Sequence, residues 1–288
     1  MGPYQHLMHI SASPYRNLQR TEPKYLPEIQ RQLDLVINAQ PTQIHPEERA
    51  AYLETLIDDL RPGGVWSLWP EDGEPTPRWQ VRGRNADDNT VYTQALVAVK
   101  VLGRNPVGSG EVMLKPETLT TLVYHTCLAF PGRGRGSALA GSPPALEALR
   151  VIANTLVLHP IARKKLARMG GAEAIARALA DELPTDRLFL LCRVGFLITA
   201  DGSGVEEIVD NEHIVPRIVY VSYHCLRVWV LVCADMSSKQ QHIHANRTTP
   251  PNYNALSELL KFSGNVIREY HKTSEDWDST LSPCVWQL

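Results

Sequence analysis

The 288-residue chain holds no nucleophile at the spacing of a base that would activate it, so its informative polar residues are those suited to binding. Lys100 and Arg104 lie four apart and share one face of a helix. Asn154 carries an amide that donates and accepts at once. Arg150 precedes it by one turn, and Arg193 sits on a later apolar helix. By pattern alone, Lys100 and Arg104 also read as the solvated side of an amphipathic helix, and Asn154 as a ladder residue bonding a neighbouring helix. Both cations are expected to be exposed, so replacing them with alanine is predicted to leave folding almost unchanged.

The remaining polar groups suggest less. Arg163-Lys164-Lys165 with Arg168 is a solvated basic run. His242 and His244 form an HxH with no carboxylate or cysteine at ligand spacing, so neither a metal nor any other cofactor is expected. Residues 131–141 (PGRGRGSALAG) follow a helix rather than a strand and lack the Gly-Lys-Ser/Thr ending of a phosphate loop, which makes them a linker. Lys and Arg total 29 against 31 Asp and Glu, and a net charge of −2 argues against nucleic acid. The five cysteines (Cys127, Cys192, Cys225, Cys233, Cys284) show no CxxC pair and read as free thiols of a cytoplasmic protein. No basic region followed by an apolar run opens the chain, so no secretory signal is expected, and Asn246-Arg247-Thr248 is then an unused glycosylation sequon.

The elements that must position these residues are helices. Residues 144–158 place Leu149, Ile152, Ala153, Leu156 and Val157 at helical spacing, and His159-Pro160 stops the run. Residues 161–169 form a short helix closed by Gly170-Gly171, and residues 172–183 a third, closed by Pro184. A long helix, a short one, a double-glycine corner and another helix make an armadillo-type unit. The unit recurs at residues 187–199 (RLFLLCRVGFLIT) and 205–211, with an offset of 194 − 152 = 42 residues. That lies within the ~40–47 of HEAT and armadillo repeats. Further helices are expected at 24–39, 46–60, 90–102 and 116–130. Residues 1–23 are Pro-rich and expected to be poorly ordered, and residues 61–88 form a loop that Trp66, Trp69 and Trp79 tack onto the helices. The fold class is all-α, an armadillo/HEAT-like solenoid.

Several stretches together carry a family resemblance: ALVAVKVLGRNP (95–106), ALRVIANTLVLHPIARKKLARMGG (148–171), RLFLLCRVGFLITA (187–200), EEIVDNEHIV (206–215) and ALSELLKFSGNVI (255–267). The chain resembles the synembryn family, the cytosolic chaperones and nucleotide exchange factors of heterotrimeric G-protein α subunits (Gα), over residues 24–270. The resemblance implies a right-handed superhelix whose concave wall holds the C-terminal helix of Gα. It also implies that Lys100 and Arg104 meet the peptide's carboxylate end, with Asn154 on its backbone, Arg193 on the next repeat and Arg150 as a weaker addition. Exchange of this kind needs no covalent chemistry, and the protein is expected to be monomeric. A peptide-binding armadillo scaffold without exchange activity is the alternative.

Two stretches depart from the pattern. Residues 219–252 show apolar residues without helical spacing, too short and interrupted at His224 and Arg227 to span a membrane. The offset from Gly195 to Gly264 is 264 − 195 = 69 residues, and removing about 25 would restore the period. Val221-Ser222 can be encoded by a string resembling a splice donor, so residues 220–244 read as translated intron, poorly packed and stabilising when deleted. After His271 the chain departs from the family, which would continue through further repeats. Residues 1–288 are therefore expected to bind the Gα C-terminal peptide and to catalyse exchange poorly.

Overall fold

Every element among the described residues is a helix, and no strand occurs among them. The computed structural model describes residues 10–11, 13–16, 25–40, 43–62, 86–128, 141–179, 183–202, 204–209, 214–235 and 253–273. The helices are α1 (Ser13–Arg16), α2 (Leu26–Ile37), α3 (Pro46–Leu60), α4 (Ala86–Gly103), α5 (Gly110–Met113), α6 (Pro116–His125) and α7 (Pro143–Leu158), followed by α8 (Pro160–Arg168), α9 (Gly171–Ala178), α10 (Thr185–Thr199), α11 (Glu206–Val209), α12 (Ile214–Asp235) and α13 (Tyr253–Thr273). They fold as two units, Met1–Cys127 with Ser142–His159, and Leu128–Gly141 with Pro160–Leu288.

In the first unit α4 packs against both α2 and α7. Ile29, Leu33 and Val36 give α2 one buried stripe, and Leu96, Val99 and Leu102 do the same for α4. Each such side chain contributes about 1.5–3 kcal/mol when fully buried. Prolines open α3, α6 and α7, where a missing N–H costs nothing. His159 ends α7 in an extended conformation (φ −130°, ψ 87°), as the proline after it requires. His125 is buried where α3, α4 and α6 meet. Its Nε2–H donates to the Leu60 carbonyl at 2.5 Å, and its Nδ1 accepts from the Tyr92 hydroxyl at 2.5 Å. Burial holds this imidazole at a pKa of about 4, which the bond to Leu60 only partly offsets.

In the second unit α10 packs on α13. A Cβ on Gly195 would stand 2.9 Å from the Phe262 ring, so the absent side chain lets the two helices approach. Gly170 takes a left-handed conformation (φ 76°) between α8 and α9, as the double glycine suggests. Arg217 on α12 donates to the Leu179 carbonyl at 2.9 and 2.6 Å, satisfying the end of α9.

The largest correction falls on α12. The stretch read as lacking helical spacing is helical through Asp235, and Ile218, Val221, Ser222 and Cys225 form one buried stripe. Ser222 Oγ lies 2.6 Å from Ser263 Oγ on α13 and donates back to Ile218, which lets two hydroxyls sit inside an apolar contact. A packed helix removes the physical argument for a translated intron over these residues. Smaller corrections concern boundaries. α4 begins at Ala86, inside the expected loop; α6 stops at His125, where Cys127 turns left-handed (φ 56°); α9 stops at Ala178, before an extended Leu179. In the N-terminal stretch expected to be poorly ordered, α1 is helical and Ser11 accepts a hydrogen bond from Tyr52. Trp66, Trp69, Trp79, residues 131–140 of the linker, His242, His244, Asn246 and the residues after 273 lie outside the described residues.

Candidate partner-binding surface

Lys100 stands on the last turn of α4, and its ammonium pairs with Glu147 on α7. Glu147 is buried, with 6% of its side chain exposed, and Lys100 keeps 16%. Arg150, one turn along α7, donates to the second oxygen of the same carboxylate at 2.9 Å. Burying a lone carboxylate costs several kcal/mol, so the two cations are what allow Glu147 its place. The expectation that Lys100 is an exposed, structurally idle residue is corrected here: it joins α4 to α7.

Arg104 differs from Lys100 although it lies four residues on. α4 ends at Gly103, and Arg104 falls in the turn that follows, its guanidinium exposed. Beside it opens a cavity of about 450 Å³. Ile37, Ile44, Val101, Leu102 and Pro106 make its wall apolar, and Asn105 and Arg104 bring polar groups to it. Arg49 also borders the cavity, but its guanidinium is spent on the carbonyls of Ile44, at 3.0 Å, and Val107. A concave apolar site that has, among the described residues, Arg104 as its accessible cation suits an anion that carries an apolar group. Asn154 is half-buried on α7.

The second unit repeats the charged arrangement. Arg193 on α10 directs Nη1 to both oxygens of Glu258 on α13, at 3.1 Å each. Glu258 is buried, with 8% of its side chain exposed, and Lys261 reaches it from one turn further on at 2.9 Å. The Lys261 ammonium also lies 5.7 Å above the Phe196 ring. Asn265 completes this helix: its amide donates to Thr199 at 3.1 Å and its carbonyl accepts from Arg268 at 3.0 Å. Asn265 is therefore a ladder residue between α13 and α10.

Against known families, residues 95–288 match the model described as guanine nucleotide exchange factor synembryn. The chain belongs to the synembryn family. The match covers more than half of its length and takes in Lys100, Arg104, Arg150, Asn154 and Arg193. No curated protein and no solved structure matches. Synembryns are exchange factors rather than enzymes of covalent chemistry, and membership implies a Gα partner. No helix among the described residues is long and apolar enough to cross a membrane.

Sequence reasoning missed Glu147, Glu258 and Lys261. The signal was present, because Glu-x-x-cation-x-x-x-Asn occurs in both α7 and α13. It stays silent until the partner helix supplies the second cation, and that pairing is a tertiary fact.

Proposed function

We propose that this protein is a guanine nucleotide exchange factor and folding chaperone of heterotrimeric G-protein α subunits, working in the cytoplasm as a monomer. The observation that carries the reading is the family match over residues 95–288. The helical repeats are read as those of an armadillo/HEAT-like solenoid, whose long helices receive the C-terminal helix of Gα.

Arg104 takes the terminal carboxylate, and the apolar cavity beside it receives the neighbouring side chain. Arg104 is favoured over Lys100 as this anchor because Arg104 is exposed, whereas Lys100 is turned onto the buried Glu147 with only 16% of its side chain exposed. Asn154 bonds the peptide backbone, Arg150 stands one turn before it on α7, and Arg193 is a further partner contact on α10 of the second unit. No bond is made or broken in exchange. A surface that binds empty Gα more tightly than loaded Gα shifts the equilibrium toward nucleotide release.

The test is release of a fluorescent GDP analogue from purified Gα, with and without the chain. Faster release, abolished by removing the last residues of Gα, is the expected result. Binding to the same Gα without acceleration would leave the peptide-binding scaffold as the reading.

A further inference from the structure

The two units share a charged device whose arithmetic points to a ligand. In unit 2, Arg193 and Lys261 bring two positive charges to the single buried carboxylate of Glu258. Among the described residues, one positive charge is left over. Both cations reach solvent, Arg193 with 34% and Lys261 with 47% of the side chain exposed. Lys261 has three N–H donors, of which Glu258 takes one, and Arg193 reaches Glu258 through Nη1 alone. The Phe196 ring beneath Lys261 limits where that ammonium moves. The outward donors of both residues are therefore held in place by an anion that cannot itself reach the surface.

We infer that Arg193 and Lys261 form an anion subsite for an aspartate or glutamate side chain of the protein partner, with Glu258 as its positioning residue. This rests on the reading that Gα lies along the long helices, and adds a contact separate from the carboxylate end at Arg104. The occupant follows from charge: one uncompensated unit of positive charge, presented by planar and point donors together, suits one carboxylate. Pairing with the two cations offsets the cost of burying Glu258, and it holds two long, flexible side chains in place before the partner arrives.

Titration of the full chain against nucleotide-free Gα, at low and high salt, tests the subsite. Lys261→Ala should weaken binding about tenfold and Lys261→Glu about a hundredfold, the difference vanishing at high salt, since one charged hydrogen bond is worth roughly that much. Lys261→Arg should restore affinity. Glu258→Gln separates positioning from plain structure: its amide oxygen still accepts from the cations, but the cluster rises from one to two net charges. Tighter binding with steeper salt dependence is expected, whatever it does to thermal stability.

Unchanged affinity across the Lys261 series overturns the inference. Lys261 is exposed, so its variants stay informative even where Glu258→Gln fails to fold. If Arg104→Ala weakens binding while the Lys261 variants do not, the subsite falls and the proposed function stands. A wild-type chain that binds no Gα removes both.

Discussion

Lys100 and Arg104 show how four residues separate two fates. Lys100 looks across to α7 and is held by a buried carboxylate, whereas Arg104 has left the helix and faces solvent beside a cavity. Lys100→Ala is therefore expected to lower stability by about 1.5–3 kcal/mol, the worth of one charged hydrogen bond, with Arg150 left to hold Glu147. Arg104→Ala should change stability by no more than about 0.5 kcal/mol and weaken Gα binding instead. Urea melts beside binding titrations check both; equal stability loss from the two substitutions would refute the distinction. His125 supplies a second prediction at this scale. Its pKa falls from 6.5 to about 4 on folding, so between those values the unfolded chain binds more protons than the folded one. Stability is thus full above about pH 6.5 and declines as pH drops toward 4, by up to about 3 kcal/mol for the whole shift. Protonating Nδ1 also removes the acceptor that Tyr92 uses. His125→Gln should flatten that part of the pH profile in thermal melts; an unchanged slope would mean that other groups cause it.

At the scale of elements, α12 is the test of what packing adds to pattern. Ile218, Val221, Ser222 and Cys225 are buried along one stripe. Ile218→Ala should cost about 2–5 kcal/mol, as filled core positions do. Removing residues 220–244 should destabilise the chain, the opposite of the result that the repeat period suggested. A folded, more stable deletion variant would favour a translated intron instead. The stripe is masked in the sequence because apolar residues also fall off it, as at Val219, Leu226, Val228 and Val230, and because a serine occupies a core position. Ser222 is tolerated there by Ser263, which only the fold brings to it. Helices with uninterrupted stripes and proline starts, such as α3 and α7, were legible to within a residue. Their ends were legible only where a backbone rule acts, as at His159 before Pro160 or Gly170 with its positive φ. The end of α9 meets Arg217 from α12, and the end of α6 turns on a left-handed Cys127; neither carries a proline or glycine that would mark it. The candidate site was legible to the same extent: the basic residues stand out in the sequence, but the glutamates that decide which of them are free do not.

For the whole molecule, exchange through binding alone imposes a reciprocity that no single residue can evade. If the chain weakens the hold of Gα on GDP by some factor, GDP must weaken the hold of the chain on Gα by the same factor. Couplings of this kind run from about 5-fold to 150-fold. The affinity of the chain for Gα, measured across a series of GDP concentrations, should fall and then level off once Gα is saturated. The ratio between the two plateaus should equal the change in GDP affinity measured on the complex. If Arg104 takes the C-terminal carboxylate as proposed, Arg104→Ala should lower affinity for both forms of Gα, since that carboxylate is present whether or not nucleotide is bound, and leave the ratio close to its original value. Residues that sense the nucleotide state should change the ratio itself. A complex whose affinity is indifferent to GDP would have no free energy with which to drive release, and the chain would then be a scaffold for the Gα tail.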